Sequence, residues 1–383
     1  MRQSPSSGST SGRNACDSKR DQLLRLIEAR SDIDGRFTDI RRLGPSGGHG
    51  AFSLLFTALD SVRQERVAIK VFHPDVRDAY RQACFEREEA ILHQLAGEPD
   101  IITWVAPRSQ FVEVLTAQNG RPFDLPFDYF GLELASSDVE SAIYDHSLSP
   151  SQLLLAFHQM CRGVQRLHAA NIAHRDIKPS NFLLMGDGSV RLSDLGTARQ
   201  FQDRDDSAAA TYWGPPGDRT YCAPEMLACI HDVGPELARE IAMLADVYSL
   251  GASLFEMFTG AVLNVQIMDA AFFQGLALVG QVGRTDRVRI YHELLPQISG
   301  REFPNVLDYG WTTAPSIAGH VNALCGSLAD LDYRSRLTDF NSIFRRIQIC
   351  RIILHNEEAS TARRRFRERI REARQRRRMR DRR

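Results

Sequence analysis

The residues best suited to chemistry lie in one octamer, HRDIKPSN, at 174 to 181. Within it, Asp176, Lys178 and Asn181 place a carboxylate, an ammonium and an amide on a single loop. Such groups accept protons, ligate cations and balance the charge of anions. A long amphipathic stretch precedes the octamer and the strand-like FLLM follows it, so we expect a helix and a strand to fix the two ends of the loop.

A second aspartate and a second lysine stand in motifs of their own. Asp194 lies eighteen residues beyond Asp176 in DLG, after the strand-like SVRLS and before a long irregular segment. Lys70 closes the tetrapeptide VAIK on the third predicted strand. DLG alone is uninformative, but its distance from the octamer indicates that the two motifs belong to one site.

The placement of lysine supports these assignments independently. Only three of the 48 basic residues are lysine, namely Lys19, Lys70 and Lys178. Random placement would put lysine at both motif positions roughly once in 380 trials. An ammonium is a compact point charge, whereas a guanidinium is a broad planar fork. Both motif positions therefore require lysine in a chain that otherwise uses arginine.

In this order, the motifs resemble those of the eukaryotic-type (Hanks-type) serine/threonine protein kinases, and the resemblance covers about residues 36 to 345. It implies that Asp176 accepts the proton of a substrate hydroxyl and that Lys178 approaches the γ-phosphate of ATP. It also implies that Asn181 and Asp194 bind Mg²⁺. These four residues are the expected catalytic and metal-binding groups, together with Lys70.

The resemblance also assigns a nucleotide site. Lys70 would contact the α- and β-phosphates and pair with a helix carboxylate, for which FEREEAIL offers Glu88, with Glu89 as the alternative. The segment GHGAFSLLFTA at 48 to 58 fits a glycine-rich loop over the phosphates, where glycines let backbone N–H groups approach. The positions that the resemblance gives to the nucleotide are Gly48, Gly50, Phe52, Ser53, Leu55, Ala68, Lys70, the gatekeeper Leu132, Glu133 and Ala135.

The chain from Asp194 to the tripeptide APE resembles an activation segment, with two departures from the family pattern. Leu195 replaces the usual Phe, and we expect this apolar side chain to remain packed. Asp218 stands where a Thr normally touches the catalytic loop, and Thr220 is the alternative for that contact. The candidate phosphosites are Ser207, Thr211 and Tyr212, and Arg175 is a cation that can pair with such a phosphate.

Further landmarks have structural roles. ADVYSLGASLFEMFTG at 245 to 260 looks like the central buried helix of the family, with Asp246 holding the backbone of the catalytic loop. By the same resemblance, Arg336 would pair with Glu225. Neither role is catalytic.

The order of predicted elements gives the fold class. The first third of the chain is rich in strands, and helices dominate from residue 149 onward, which predicts an α+β arrangement. The resemblance implies a bilobal protein-kinase-like fold, with a small β-rich N-lobe and a larger α-helical C-lobe. The expected segments are a disordered arm (1–20), a short helix leading into the domain (21–35), a kinase domain (36–350, with its N-lobe at about 36–133 and its C-lobe at about 134–350) and a basic, helical tail (351–383).

Composition sets the remaining bounds. The 383 residues are 43% hydrophobic and 25% charged, which excludes a wholly disordered or fibrous chain. The net charge is zero, but residues 361 to 383 carry thirteen arginines against three acidic residues. Phe366, Ile370 and Ala373 would form a narrow apolar stripe on a helix there. The charge of this tail predicts that it binds an anionic partner, which would be a nucleic acid, an acidic protein or a membrane surface. The alternative is that the tail has no partner and is either a solvated extension or folded back on the rest of the chain.

The cysteines and the hydropathy pattern concern location. Seven scattered cysteines without a C-x-x-C pair indicate reduced, mostly buried thiols. The first twenty residues contain no apolar run typical of a secretory signal, and we expect no transmembrane segment. These observations favour a cytoplasmic protein.

The expected activity is transfer of the γ-phosphoryl group of ATP, with Mg²⁺, to Ser or Thr of proteins, including the enzyme itself. KPSN after HRD favours Ser/Thr over Tyr as the acceptor. One alternative is a catalytically inactive kinase-like scaffold that binds nucleotide or a partner protein, motivated by Ser53, Leu195 and Asp218. Another is a small-molecule phosphotransferase, a class that generally lacks the KP and APE present here.

Overall fold

A computed structural model describes residues 20–44, 53–73, 79–117, 119–201, 217–230, 234–298, 302–309 and 314–380. The chain forms two compact units. The first comprises Met1–Ser136 and Asp194–Gly196, and the second comprises Ser137–Ser193 and Thr197–Arg383.

The first unit is built on a six-stranded antiparallel sheet with the order β1-β2-β3-β4-β6-β5. The central strand β4 is buried along most of its length, as its run of apolar and β-branched residues predicts. The elements are helix α1 (20–28), strands β1 (Asp32–Ile33), β2 (Phe37–Arg42), β3 (Ser53–Asp60) and β4 (Glu65–Phe72), helix α2 (Ala79–Gln94), and strands β5 (Trp104–Thr116) and β6 (Pro122–Glu133).

The core of the first unit lies between the sheet and α1. Leu24 and Ile27 of α1 are almost fully buried, as the apolar side of this short helix predicts. The apolar residues that share this core include Ile33, Phe37, Leu54, Phe56, Val67, Ile69, Val71, Phe111, Phe127 and Tyr129.

The second unit is mainly helical, with short strands near its start. Strands β7, β9 and β10 form one small sheet, and β8 pairs with β11. The elements are β7 (Ser137–Asp138), α3 (Val139–Tyr144), α4 (Pro150–Ala169), β8 (Ile172–Ala173), β9 (Phe182–Leu184), β10 (Val190–Leu192), β11 (Arg199–Gln200), α5 (Pro224–Leu227), α6 (Pro235–Thr259), α7 (Leu263–Ile267), α8 (Ala270–Gln281), α9 (Arg284–Ile298), α10 (Ala318–Leu328) and α11 (Phe340–Arg380).

Local sequence explains the helix boundaries that matter most for the site. Helix α4 begins at a capping box, in which Ser149 accepts the backbone N–H of Gln152 and the Gln152 side chain accepts the backbone N–H of Ser149. Helix α6 ends at Gly260, whose φ of 66° lies in the left-handed region that glycine adopts at helix ends.

Helix α6 forms the centre of the second unit. Of the described residues, only this helix is long and apolar enough to span a membrane by length and composition, and 89% of its most apolar window is buried inside the protein. Burial of this kind is typical of a core helix.

The last helix, α11, has two parts. Ile343, Ile347, Cys350 and Leu354 recur at helical spacing and are buried, and this part of the helix contacts α4 and α10. From residue 355 to 370 most side chains are exposed. The basic tail therefore continues the last helix of the second unit.

The predicted elements are confirmed at the strands around Lys70, at helix α4 before the catalytic loop and at strand β9 after it. A β-rich first unit and a helical second unit confirm the predicted α+β class, with a β-rich N-terminal lobe and a helical C-terminal lobe.

Candidate active site

In the first unit, the ammonium of Lys70 lies among carboxylate oxygens. Its Nζ is 2.7 Å from Oε1 and 2.6 Å from Oε2 of Glu88, and 3.0 Å from Oδ1 of Asp194. The Lys70 side chain is 11% exposed and that of Glu88 is 3% exposed, whereas the Asp194 side chain is 46% exposed. The three groups together carry one negative charge.

This arrangement shifts the pKa of both buried groups. Burial disfavours the ammonium of Lys70, but the charges of Asp194 and Glu88 outweigh burial and raise the pKa of Lys70. Burial raises the pKa of the Glu88 carboxyl to about 7, although the charge of Lys70 acts in the opposite direction. The two carboxylates share one ammonium, and Glu88 is the less accessible to water of the two. Its carboxyl therefore holds a proton more tightly.

The central strand and helix α2 decide which glutamate meets Lys70. Lys70 lies on β4 opposite Leu55 of β3 and Phe130 of β6. Glu88 is the α2 residue that reaches its ammonium. Glu89, one residue further along the helix, instead accepts the indole N–H of Trp104 at 3.1 Å.

The DLG tripeptide is fixed by backbone conformation and by burial. Asp194 has a φ of 58°, in the left-handed region that few non-glycine residues occupy. Leu195 is fully buried, so the apolar packing expected for this position is present despite the replacement of Phe. The carbonyl oxygen of Gly196 accepts a hydrogen bond from Arg87 of α2 at 3.3 Å.

In the second unit, the carboxylate of Asp176 is held at both oxygens. Its Oδ1 accepts the backbone N–H of Asp218 at 2.7 Å, and its Oδ2 accepts the side-chain amide of Asn181 at 3.2 Å. The ammonium of Lys178 lies 3.1 Å from the same Oδ2. The Asn181 amide also donates to the Asp176 carbonyl at 2.7 Å. The three residues singled out in the octamer therefore form one hydrogen-bonded group.

The backbone of this loop is anchored by a buried aspartate of α6. Asp246 accepts the backbone N–H groups of His174 and Arg175, each at 2.8 Å, and lies 3.0 Å from the ring of His168. The His174 ring lies 2.9 Å from the carbonyl oxygen of Ser193, just before DLG. This anchoring holds the loop to α6 and to the end of β10.

A second buried pair lies deeper in the same unit. The guanidinium of Arg336 contacts both carboxylate oxygens of Glu225 at 2.5 and 2.8 Å, and both side chains are 0% exposed. The guanidinium also donates to the carbonyl oxygens of Leu244 and Asp330. Its contacts are with the protein interior, which is consistent with a structural role.

Sequence reasoning missed the role of Gly217. A Cβ atom at this position would lie 2.4 Å from the carbonyl oxygen of Arg175 and 2.8 Å from Oδ1 of Asp176. Its φ of 80° also favours glycine. The backbone N–H of Asp218 reaches the catalytic loop here, while Thr220 donates its own N–H to Asp218 at 2.9 Å. The only sequence signal was a glycine directly before the unusual aspartate.

The residues predicted to surround the nucleotide are only partly described. Ser53 is buried at the start of β3, where its carbonyl oxygen accepts a hydrogen bond from Arg20 at 3.1 Å. Ala68 pairs with Leu132 between β4 and β6, and both are largely buried. Glu133 and Ala135, at the end of β6 and just beyond it, are partly exposed, as is Leu55. The predicted residues that lie outside the described ranges are Gly48, Gly50, Phe52, Ser207, Thr211 and Tyr212.

The sequence profile of the protein kinase domain matches residues 42–345 of this chain. The match includes Lys70, Glu88, the catalytic loop and DLG. The chain belongs to the protein kinase family. Members of this family use ATP and Mg²⁺.

Several protein kinases are similar to this kinase in sequence. Mitogen-activated protein kinase 15 of Caenorhabditis elegans is 27% identical over 256 residues, which cover 66% of this chain and 49% of that protein. A probable cyclin-dependent serine/threonine-protein kinase of Dictyostelium discoideum is 29% identical over 216 residues, or 55% of this chain and 29% of its own length. Mitogen-activated protein kinase 9 of Arabidopsis thaliana is 29% identical over 56% of this chain and 38% of its own length. This chain therefore spans about half or less of these three relatives.

Proposed function

We propose that this protein is a serine/threonine kinase that transfers the γ-phosphoryl group of ATP to hydroxyls of proteins, including its own. The observation that carries the proposal is the group of Lys70, Glu88 and Asp194, whose buried ammonium is paired as phosphate binding requires.

We propose a role in phosphoryl transfer for each of these side chains. The carboxylate of Asp176 accepts the proton of the acceptor hydroxyl. The hydroxyl oxygen then bonds to the γ-phosphorus, and the bond from the γ-phosphorus to the oxygen that bridges it to the β-phosphate breaks. Lys178 balances the charge on the transferred group. Lys70 binds the α- and β-phosphates, while Glu88 keeps its ammonium in place.

Asn181 and Asp194 have the oxygen ligands that Mg²⁺ prefers. The Asp194 carboxylate is 46% exposed, and the Asn181 amide nitrogen is the atom that donates to Asp176, so the amide oxygen is the ligand atom. We propose that each of these residues provides an oxygen ligand for Mg²⁺, which would neutralise phosphate charge when bound. We also propose that the residues assigned to the nucleotide from the sequence, from Gly48 to Ala135, contact the adenine and cover the phosphates.

The decisive experiment compares variants of the full chain in a labelled-ATP assay with Mg²⁺. We expect wild-type protein to label itself or a basic protein on Ser or Thr, and Asp176→Asn to lose at least about a thousandfold in rate. Asp187→Asn, in the exposed turn between β9 and β10, is the matched control and should retain the wild-type rate. Lys70→Met should abolish transfer.

The outcomes separate the candidates. Phosphotyrosine as the sole product would contradict the Ser/Thr assignment. Nucleotide binding without any transfer would indicate the inactive scaffold, and phosphorylation of small molecules but not of proteins would indicate a phosphotransferase of another class. A cytoplasmic location stays a prediction, and it is supported by scattered cysteines without a C-x-x-C pair.

We further propose an anionic partner for the basic tail. Five arginines between 363 and 369 are exposed on a helix, together with Phe366, which is 65% exposed. Salt titrations of binding to RNA, to DNA and to anionic vesicles test this idea, because neutralised anions release counterions and affinity should fall steeply with salt. Binding that does not change with salt would contradict it.

A further inference from the structure

The residues Gly217 and Asp218 lie directly against the proposed catalytic base. A Cβ on Gly217 would overlap the loop carbonyl of Arg175, so the backbone can come this close only with glycine. The next residue donates its backbone N–H to Oδ1 of Asp176 at 2.7 Å. The side chain of Asp218 is therefore held next to the position where an acceptor hydroxyl must lie.

The Asp218 carboxylate adds a charge that the family pattern lacks at this position. Its Oδ1 accepts the N–H of Thr220 at 2.9 Å, and its Oδ2 lies 3.8 Å from Nζ of Lys178. Lys178 is also 3.1 Å from Asp176, so one ammonium lies between two carboxylates. The three groups sum to one negative charge, whereas a threonine at 218 would leave them neutral. The Asp218 side chain is 38% exposed and can meet a ligand from solvent.

We propose that Asp218 determines acceptor specificity by selecting protein segments with an arginine or lysine beside the phosphorylated Ser or Thr. The inference rests on the proposed function, because a hydroxyl must come within hydrogen-bond distance of Asp176 to lose its proton there. In an extended peptide the flanking residues follow at about 3.3 Å per residue. A long cationic side chain on one of them reaches the carboxylate of Asp218, a residue whose backbone N–H is hydrogen-bonded to the Asp176 carboxylate.

The same charge has a second effect that the experiment must separate. A carboxylate near Lys178 also disfavours phosphate binding, but that effect is equal for every acceptor. Selection by Asp218 acts only on acceptors with a cation next to the hydroxyl. For a partly exposed pair about 4 Å apart, we expect about fivefold in kcat/KM, which corresponds to ~1 kcal/mol.

The test uses peptide pairs that differ only in arginine or its uncharged isostere citrulline at each position flanking one serine. Wild-type kinase should favour at least one arginine peptide about fivefold. Asp218→Asn keeps the shape and an oxygen for the Thr220 N–H, and should lose the preference, whereas Asp218→Glu should keep part of it. Equal arginine preference in wild type and Asp218→Asn would overturn the proposal, whatever the change in overall rate.

A binding measurement makes the test independent of catalysis. Fluorescence anisotropy with the same peptides, in which alanine replaces the serine, should show tighter binding of an arginine peptide to wild type than to Asp218→Asn, with a difference that shrinks as salt is added. If no peptide is phosphorylated but the difference in binding between wild type and Asp218→Asn remains, the proposed kinase activity is refuted and the role of Asp218 is not. No difference in binding would refute that role.

Discussion

Replacing Lys70 with arginine is the most direct test of the claim that this position requires lysine. The Lys70 ammonium fits among three carboxylate oxygens at 2.6, 2.7 and 3.0 Å, and the side chain is 11% exposed. A guanidinium keeps the charge but adds two nitrogens in a plane. It can enter the same space only if Glu88 or Asp194 moves.

The size of the effect follows from these contacts. Overpacking a well-filled site typically costs 1–3 kcal/mol, about 2 kcal/mol here, and loss of one charge-assisted hydrogen bond costs about 1.5–3 kcal/mol. Together they amount to about 3–5 kcal/mol of lost transition-state stabilisation, or roughly 10²- to 10⁴-fold in kcat/KM. A pure charge requirement would predict almost no change.

The assay measures kcat/KM for ATP, together with the thermal midpoint to verify that each variant folds. Lys70→Arg should lose activity by the stated factor, and Lys178→Arg should lose activity as well. Lys19→Arg, outside the described residues and outside every motif, is the control and should match wild type. The reasoning would be refuted if Lys70→Arg folds and its activity lies within about threefold of wild type. The carboxylates would then accommodate a planar guanidinium as well as a compact ammonium.

Two further predictions concern stability and pH. Glu225→Gln leaves the guanidinium of Arg336 buried without its counter-charge, so it should lower the free energy of unfolding, measured by urea titration, by about 3–5 kcal/mol. The control Glu293→Gln, at an exposed residue, should change this free energy by at most about 1 kcal/mol. Equal losses in the two variants would contradict the argument. Burial raises the pKa of Glu88 from its ordinary 4.5 to about 7, so its contribution is fully present below 4.5 and is lost as pH rises through 7. The unfolding free energy of wild type minus that of Glu88→Gln should therefore fall between about pH 5 and pH 8, and a difference independent of pH would show that the pKa is not raised.

Much of the catalytic loop was predictable because its function depends on residue type and spacing. The octamer contains Asp176, Lys178 and Asn181 within six positions, so any loop that ends at β9 brings them near one another. The structure shows them as one hydrogen-bonded group. The strands around Lys70 were predictable for a different reason, since β-branched apolar runs of this length are typical of a buried sheet.

The family resemblance favoured Glu88 over Glu89, but the local pattern of residues alone did not distinguish them. Adjacent residues on a helix point about 100° apart, and both glutamates stand before the apolar positions of α2. The orientation of α2 against β4 decides which carboxylate meets Lys70, and that orientation comes from the packing of many side chains. Glu89 contacts Trp104, a residue fifteen positions away that no local pattern relates to it.

The region of Gly217 and Asp218 shows another limit of sequence reasoning. The departure from threonine was visible, and it suggested a missing contact to the catalytic loop. The structure shows that the backbone N–H of Asp218 makes a contact that is independent of side-chain type. What the substitution changes is charge, and only the distances from Asp218 to Lys178 and Asp176 reveal where that charge lies.

The start of the folded kinase unit illustrates how packing defines a domain. The family profile begins at residue 42, yet Leu24 and Ile27 of α1 belong to the same core as β3 and β4. The guanidinium of Arg42 contacts Glu28, and this contact lowers the pKa of that carboxyl. A chain cut at the profile boundary would expose the apolar residues that α1 covers and would leave Arg42 without the carboxylate of Glu28. The physical unit therefore includes α1, because the residues that cover a core belong to it whether or not related proteins share them.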